Sequence, residues 1–496
     1  MFSAISNSQP KVRALFFILC AFLLVKVAFT LLTLVAADEA YYWVWGQDLA
    51  LSYFDHPPLN AWLIALTSYF FDNSVFAMRL PTFLTFGGSV YIYWLFAKRL
   101  FPDTALYAFL LSTTAFLASP TLFVWTSIVY NDHLLIFLCL AATYAFADYF
   151  AAFQEDPNAS TKPLYAGAII LGVAALAKYN AAFLGFSVAM LVIGHPKLRS
   201  LLIRPHIFLA GILCIAMLAP VLVWNIQNQF ASFELHLVDR YDHALFTIFR
   251  PAPFYRYILS TLIYFGPVLV VPLVLLYMPI KGLDNFGRMT IWLARLTIAS
   301  TLVTFVALSS RGAVHWYWGS VAYALMLPFL PLLLKKLWLF AIHFAFGLVF
   351  AIYATFNYSY APVEILLGSQ SEEVARVFGW DEAGEIATTL NAAHPGTFLA
   401  TTGYPTAGQL AHHLGKTVVY DLDPRPSHFS FVGRKTLPTG SDAIVLHDKF
   451  GNLDGTKKRF ESFELLTTYT YEIENVEINS FQFYLAKGFI GVPKQQ

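Results

Sequence analysis

Charged residues are scarce in this sequence of 496 residues, where Asp, Glu, Lys and Arg together make up 12%. Soluble domains carry roughly twice that share, so most of the chain is not an ordinary soluble fold. Neither sign of charge is in excess, because 31 Lys and Arg stand against 30 Asp and Glu. Nucleic-acid binders concentrate Lys and Arg on one face, so this balance argues against nucleic acid as a partner.

Cysteine is also rare, and the sequence lacks internal repeats and low-complexity tracts. The three cysteines, Cys20, Cys139 and Cys214, all lie in apolar runs, where we expect them to pack as small hydrophobic side chains. No disulfide or zinc-binding spacing is present. The first apolar run is about as long as a full membrane span and has no small-residue cleavage site, so we expect a retained helix rather than a signal peptide.

Apolar residues dominate the rest of the chain. Hydrophobic residues make up 58% and aromatic residues 17%, and the mean hydropathy is +0.60. Stretches of roughly 17–25 apolar residues, the length that crosses a bilayer, recur between polar breaks. The sequence therefore predicts a polytopic α-helical membrane protein with about eleven transmembrane helices. The predicted spans are 14–36, 80–97, 104–123, 133–150, 164–177, 181–195, 206–224, 255–280, 290–308, 319–334 and 338–357.

The distribution of Lys and Arg predicts the orientation of these spans. Paired cations fill the breaks at Lys11/Arg13 and Lys98/Arg99, and further cations cluster in alternate breaks along the chain, whereas the intervening breaks hold isolated cations. By the positive-inside rule, the N-terminus is cytoplasmic, and an odd number of spans puts the C-terminal part outside. We expect a multi-pass protein of the inner, or plasma, membrane.

The composition changes after Tyr360, which divides the chain into a transmembrane domain, 1–357, and a C-terminal domain, 358–496. The stretch SEEVARVFGWDEAGEIATTLN has helical spacing, and KTVVYDLD and SDAIVLHD are strand-like apolar runs that end in acids. The sequence therefore predicts a small, extracytoplasmic C-terminal α/β domain.

Ionisable groups are concentrated in the first predicted outer loop, in the stretch ADEAYYWVWGQDLALSYFDHPPL. Its tyrosines and tryptophans alternate with polar groups, which is typical of helices that lie flat in the membrane interface, and we expect the Pro-Pro pair to end the helical part. Asp38 and Glu39 taken singly could serve as helix N-terminal caps. Together with Asp55 and His56, however, they favour a functional site.

Three other predicted outer loops repeat this combination of ionisable and aromatic residues. Asp132 begins the fourth span, and Lys178 separates two apolar runs with no acid beside it. Arg311 and His315 lie in the stretch SSRGAVHWYWGS. An unpaired lysine at membrane depth is costly unless an anion binds it. Because cations bind phosphate and a carboxylate can take a proton from an acceptor, we expect the four loops to converge on a lipid-linked phosphate at the outer face. Lys26, inside the first span, is attributed to snorkelling or helix packing.

At these residues the chain resembles a known family. The stretches ADEAYYWVW, YFDHPPLNAWL and MRLP, followed by YNDHLLIF, LAKYNAAFL, VLVWNIQNQFASF and HWYWGSVAYALMLP, are similar in content and order to the polyprenyl-phosphate-sugar glycosyltransferases of the C-type membrane fold. That superfamily contains the protein O-mannosyltransferases and the bacterial lipid A aminoarabinose transferases. The resemblance covers about residues 14–335, and the Asp-Glu pair followed by an acid-cation-Pro step is its most specific part.

The resemblance implies roles for individual residues. Asp38 matches the general base, Glu39 a residue that positions the acceptor, and Asp132 a second acid at the start of a span. His56 stands where many members have lysine before the proline, a position that contacts the carrier phosphate, and Lys178 matches a phosphate-side lysine. Because histidine titrates near neutral pH, we expect phosphate binding at His56 to depend on pH.

The implied reaction is an inverting transfer of a sugar from a polyprenyl-phosphate donor to a hydroxyl group of an envelope acceptor on the outer face of the membrane. The acceptor is lipid A or another glycolipid, or a protein. The other residues predicted to bind substrate are Asp55, Tyr41, Arg311 and His315. No cofactor is certain. A divalent metal ion between Asp38 and Asp132 is conceivable, although the spacing of these two acids is not a metal signature.

A multi-span secondary transporter of a polar or anionic solute is the alternative from another class of protein. Transporters also combine many spans with buried charges. They cluster those charges at the bilayer midplane, however, and often show repeated halves. The charges of this sequence are predicted at one membrane face, which favours the enzyme.

Overall fold

The computed structural model describes residues 9–236, 249–312, 314–369, 371–415, 418–431 and 437–491. Contacts divide the chain into two compact units. The membrane unit consists of Met1–Thr30, His56–Asn60 and Leu80–Ile352. The C-terminal unit consists of Leu31–Asp55, Ala61–Arg79 and Tyr353–Gln496. Most of the segment between the first two long helices therefore belongs to the same unit as the C-terminal sheet, and the domain boundary drawn between 357 and 358 stays a prediction.

Six helices in the described part of the chain are long and apolar enough to cross a membrane. They are Pro10–Leu32, Val75–Leu100, Asp132–Glu155, Asn285–Ser309, Trp316–Leu333 and Leu337–Ser359. Two bent helix pairs raise the number to eight if each pair is one span: Pro205–Ala216 with Ala219–Gln227, and Pro251–Phe265 with Pro267–Leu275. The prediction of a helical, multi-pass membrane protein is confirmed.

Breaks in apolar helices explain much of the difference from the predicted spans. The predicted span 255–280 bends by 99° at Gly266, whose φ of +118° is favourable only for glycine. Pro267 follows and has no N–H with which to continue the helix. The predicted span 206–224 bends by 46° just before Pro220. A total of about eleven spans stays a prediction.

The membrane unit also contains shorter helices and 3-10 turns. The helices are Ala105–Ala118, Pro120–Trp125, Lys162–Ala177, Ala182–Gly194 and Ala231–Glu234. The 3-10 turns outside the spans given above are Pro102–Thr104, Tyr179–Ala181 and Arg199–Ile203.

The segment between the first two long helices forms two helices, Ala37–Gln47 and Leu59–Phe71. Helices were predicted here and are present, but the expectation that the first continues to the Pro-Pro pair is wrong. The Tyr53 side chain explains its early end. The Tyr53 hydroxyl donates to the Trp45 carbonyl at 2.9 Å and accepts the Ala50 N–H at 3.2 Å, so it adds a second hydrogen bond to a carbonyl group at the helix end that also accepts the Asp48 N–H at 3.3 Å.

The C-terminal unit contains a five-stranded mixed sheet. Its strands are β1 (Phe398–Thr401), β2 (Tyr420–Asp421), β3 (Ala443–Asp448), β4 (Phe460–Ile473) and β5 (Val476–Phe489). The strand order is β2-β1-β3-β5-β4, with β1 parallel to β2 and β3, and β5 antiparallel to β3 and β4. The helical elements of this region are Val363–Leu366, Glu372–Ala375, Trp380–Ala393, Tyr404–Leu414, Leu453–Lys457 and the 3-10 turn His428–Ser430. The predicted α/β character is confirmed.

The hairpin of β4 and β5 was not predicted from the sequence. Its turn consists of Glu474 and Asn475, with φ values of 53° and 62°, which are the left-handed angles of a type I′ hairpin turn. Most of β4 is at least partly exposed, so the strand has no apolar run that would have revealed it. The short buried strands β1 and β3 form the centre of the sheet instead.

The helix Tyr404–Leu414 packs closely against Ala37–Gln47 at Gly408. A Cβ atom added at Gly408 would lie 3.1 Å from the backbone nitrogen of Tyr41 and 3.2 Å from its Cα atom. Backbone atoms cannot move aside as a flexible side chain can, so an added Cβ would have to push the two helices apart by a few tenths of an ångström. The side chain of Gln409 adds a hydrogen bond to the Val35 carbonyl at 2.8 Å.

We expect Gly408→Ala to lower the free energy of unfolding by about 1–3 kcal/mol through overpacking, although alanine is the better helix former. Gly384→Ala, in the helix Trp380–Ala393, is the matched control, because its added Cβ would lie 3.6 Å from the nearest atom, a Leu414 methyl carbon. There the higher helix propensity of alanine leaves stability unchanged or raises it. Melting of the two purified variants checks this, and equal melting temperatures would contradict it.

Candidate active site

Glu39 pairs with Arg79 in the interior of the C-terminal unit. The two carboxylate oxygens of Glu39 accept from Arg79 Nε at 2.9 Å and Nη2 at 2.6 Å, and both side chains have 0% exposure. Arg79 also donates to the carbonyl groups of Thr33 and Leu34. The Ala36 N–H donates to Glu39 Oε2 at 3.1 Å, so Glu39 caps the helix Ala37–Gln47. The role predicted for Glu39, positioning the acceptor, stays a prediction.

Tyr41 orients Asp55 in the same unit. The Tyr41 hydroxyl donates to Asp55 Oδ2 at 2.6 Å and accepts the backbone N–H of His428. The Tyr41 ring is only 2% exposed and stacks on Phe429. Burial and the neighbouring Asp55 charge raise the pKa of Tyr41 well above its ordinary value, so the hydroxyl keeps its proton and stays a donor. Substrate contact by Tyr41 remains a prediction.

Two residues that sequence reasoning did not select lie beside these acids. The Tyr404 ring centroid is 4.8 Å from that of Tyr41, and Arg425 lies over the Tyr404 ring, with Cζ 5.5 Å from its centroid. The charge of Asp38 is the largest cause that raises the pKa of Tyr404, followed by burial and the charge of Asp55. Both residues fall in a stretch of the tail without a recognisable motif, so the sequence offered no signal for them.

Asp132 and Lys178 form a buried ion pair in the membrane unit. Lys178 Nζ donates to Asp132 Oδ2 at 2.7 Å, and the two side chains are 9% and 1% exposed. Ser320 donates to the other oxygen, Oδ1, at 3.1 Å. The expectation that Lys178 lacks an acidic partner is therefore wrong, because its partner lies 46 positions away, beyond what adjacency in the sequence reveals.

Aromatic rings surround this ion pair. Lys178 Nζ lies 5.0 Å from the ring centroid of Tyr317, and the His315 ring is 5.5 Å from the same ring. Tyr179 contacts His236 at 5.2 Å between centroids, and His236 contacts His56 at 6.2 Å.

Three residues predicted from separate loops therefore lie together in the membrane unit, namely Asp132, Lys178 and His315. His56 is linked to them through the rings of His236 and Tyr179, the residue after Lys178. No hydrogen bond, ion pair or ring contact joins the Arg311 side chain to them within the described residues. Asp38 belongs to the other unit, so its convergence with His56 and Lys178 stays a prediction.

Lys26 is held by helix packing rather than by snorkelling. Its Nζ donates to the Thr126 carbonyl at 2.7 Å, to the Thr126 hydroxyl at 3.1 Å and to the Ser127 hydroxyl at 2.7 Å. The side chain is 3% exposed, and its ammonium lies 4.6 Å from the Phe86 ring centroid. Lys26 thus fixes the end of the helix Pro120–Trp125, a few residues before Asp132.

Neither neighbourhood contains three or more His, Cys, Asp or Glu side chains grouped closely enough to hold a metal ion, within the residues that the structure describes. Metal dependence therefore stays as open as the sequence left it.

Comparison with known proteins supports the resemblance found in the motifs. Residues 55–224 match the family model described as dolichyl-phosphate-mannose-protein mannosyltransferase. The lipid A galacturonosyltransferase RgtD of Rhizobium johnstonii is 25% identical over 288 residues. That alignment spans 56% of this chain and 56% of the relative, so the chain matches only about half the length of this curated protein.

The fold comparison extends over nearly the whole chain. ArnT from Cupriavidus metallidurans bound to undecaprenyl phosphate matches with a TM-score of 0.62 at 13% identity, and the apo state with 0.60 at 14%. Each match covers 94% of this chain and 97% of ArnT. The resemblance to the C-type membrane glycosyltransferases is confirmed. This chain shares the fold of ArnT.

Proposed function

We propose that the protein is an inverting glycosyltransferase that moves a sugar from a polyprenyl-phosphate donor to a hydroxyl group of an envelope acceptor, with lipid A or another glycolipid first and protein second. The similarity to RgtD, named as a lipid A galacturonosyltransferase, supports the choice of acceptor. The ArnT structure with undecaprenyl phosphate supports the choice of carrier. Eleven spans, an inner-membrane location, a cytoplasmic N-terminus and an outer C-terminal domain belong to the same proposal.

The cation site around Lys178 carries this proposal. An ammonium group has three donors, and Asp132 accepts from one of them. No further hydrogen bond from the Lys178 ammonium is present within the described residues, so two donors are left for a ligand. Because Lys178 is only 7% exposed, water screens its charge weakly. Asp132 already balances the charge, and a carrier phosphate would accept hydrogen bonds from the two remaining donors.

Two chemical tasks are divided among three of the predicted residues. Asp38 takes the proton of the acceptor hydroxyl as that oxygen attacks the anomeric carbon. The bond between that carbon and the phosphate oxygen breaks, and the phosphate leaves as an anion without needing a protonating acid. Lys178 and His56 stabilise its developing charge. The attack on the face opposite the leaving group inverts the anomeric configuration.

The function is tested with purified full-length protein, polyprenyl phosphate linked to mannose or to galacturonic acid, and lipid A or an acceptor peptide. We expect sugar transfer detectable by mass spectrometry. Removing a charge-assisted hydrogen bond costs about 1.5–3 kcal/mol, so Lys178→Met should weaken binding of bare polyprenyl phosphate by about tenfold to a hundredfold. Binding is measured as the ligand-dependent rise in melting temperature.

Asp132→Asn separates phosphate binding from loss of fold. Both Lys178→Met and Asp132→Asn break the buried pair, but only the first removes the cation, so Asp132→Asn should keep or increase the affinity for polyprenyl phosphate. Lys197→Met, at an exposed position, controls for the loss of a charge. Equal binding by wild type and Lys178→Met would contradict the proposal.

A further inference from the structure

We propose that Tyr404 and Arg425, together with Asp55, form a subsite that binds a sugar ring of the substrate. The inference rests on the proposed glycosyltransferase function and deepens it, because it assigns part of the substrate to the C-terminal unit. All three residues lie in that unit. Tyr404 and Arg425 lie more than 340 positions after Asp55 in the chain, in a tail to which the sequence assigned no role.

The neighbours of Arg425 hold its side chain in place but leave its hydrogen-bond donors available. Its side chain is 52% exposed, and Nη2 lies 4.0 Å from Asp55 Oδ1, which is beyond hydrogen-bond distance. Its guanidinium donates no hydrogen bond within the described residues, although the group carries five donors in a rigid fork. The contact with the Tyr404 ring holds the fork in place. Arg425 is therefore half exposed and preorganised, and its donors are available for a ligand. Such a group is suited to binding a polar ligand.

Tyr404 and Asp55 supply the two other surfaces that a sugar needs. A sugar ring has an apolar C–H face, which packs on an aromatic ring, and a rim of hydroxyl groups, which donate to a carboxylate. Asp55 is 17% exposed, and Tyr41 fixes its Oδ2 atom by the 2.6 Å hydrogen bond. Its Oδ1 atom is therefore held in a defined direction on the side of Arg425.

Charge distinguishes a sugar from the carrier phosphate as the occupant. The carboxylates of Asp38 and Asp55 and the guanidinium groups of Arg425 and Arg376 all act electrostatically on Tyr404, and Arg425 contacts its ring. The two carboxylates offset the two cations, so the surface has no excess of positive charge that would favour a phosphate anion. Hydroxyl groups carry no charge and can donate to the same carboxylates. This surface therefore fits the sugar, and the cation site of the membrane unit fits the phosphate.

The test compares two ligands on full-length protein in detergent: bare polyprenyl phosphate, and polyprenyl phosphate carrying mannose or galacturonic acid. We expect wild type to bind at least one sugar-linked lipid more tightly than the bare lipid. Arg425→Gln and Tyr404→Leu should each weaken that binding about tenfold or more, equivalent to about 1.4 kcal/mol, and change binding of the bare lipid less than about threefold. Tyr404→Phe, which keeps the ring face, should restore most of the affinity.

Lys458→Gln, an exposed position in the same unit, is the control for charge, and ligand-free melting temperatures control for folding. Three results would overturn the subsite. Both variants could bind the sugar-linked lipid as tightly as wild type does, or lose affinity equally for the sugar-linked and the bare lipid. Wild type could also bind no sugar-linked lipid more tightly than the bare lipid. A separate transfer assay keeps the two proposals apart. Sugar-dependent binding that disappears in the variants, without transfer by wild type, would sustain the subsite and refute the proposed function.

The subsite is assigned to the sugar carried by the donor lipid, so loss of donor affinity in the two variants is the result that sustains it. Variants that keep donor affinity would overturn it, even if they raise the KM for lipid A.

Discussion

Asp38→Asn is expected to lower sugar transfer by about a hundredfold to ten-thousandfold, the range for removing a general base, while the protein still folds. Asn has nearly the same shape but cannot take a proton. Asp38 is only partly buried, at the first turn of the helix Ala37–Gln47, so the change to a neutral side chain of the same shape leaves the packing of this helix intact. Initial rates of transfer at saturating donor measure the effect.

Asp48→Asn is the matched control for that experiment, because Asp48 is exposed just beyond the other end of the same helix. It should transfer sugar at the wild-type rate. Both variants should elute and melt as wild type does. Transfer by Asp38→Asn within about tenfold of wild type would exclude Asp38 as the base, since a positioned base contributes more than that.

Breaking the Glu39–Arg79 pair is expected to lower the free energy of unfolding by about 3–5 kcal/mol. Glu39→Gln leaves the Arg79 guanidinium at 0% exposure without its counter-charge. Arg79→Met leaves the carboxylate in the same position. The double variant Glu39→Met/Arg79→Met removes both charges. Its loss of unfolding free energy should therefore be smaller than the sum of the losses in the two single variants. Two measurements report the result. One is the melting temperature of each purified protein, and the other is the fraction of each variant that inserts and elutes as a single species.

The exposed pair of Arg99 and Asp284 provides the matched comparison. Its atoms are 3.4 Å apart, with side chains 47% and 51% exposed, and such surface pairs contribute less than about 1 kcal/mol. Arg99→Met should therefore melt close to wild type. A Glu39→Gln variant as stable as Arg99→Met would show that the buried pair is not a main support of the C-terminal unit. Glu39→Gln that melts normally but loses transfer would favour the acceptor-positioning role instead.

The fold class was predictable because the hydrophobic effect acts on composition and run length. Long apolar runs such as the one that forms Leu337–Ser359 have few alternatives to crossing a bilayer. Bends were harder to predict. Gly266 and Pro267 are visible in the sequence. Whether they end a helix, kink it or leave it continuous depends on the neighbouring helices that satisfy the freed backbone groups.

The candidate site was predictable only in part. Aromatic context and charge identified Asp132 and Lys178 separately, since an ionisable group in an apolar run needs a reason to be there. Their pairing was not predictable, because residues 46 positions apart meet only when helices pack. Glu39 was recognisable as an acid at a helix start, but its bond to Arg79 depends on the same kind of packing.

Local composition was enough to predict a multi-pass membrane protein with a C-terminal α/β region, and to identify the charged positions that needed an explanation. Every conformation of the chain shares that composition. The folded structure was needed to show that Lys178 has a partner, that Lys26 is bound by hydroxyl and carbonyl groups, and that Tyr404 and Arg425 lie beside Asp55. These contacts join distant segments, and side-chain hydrogen bonds act only over about 3 Å.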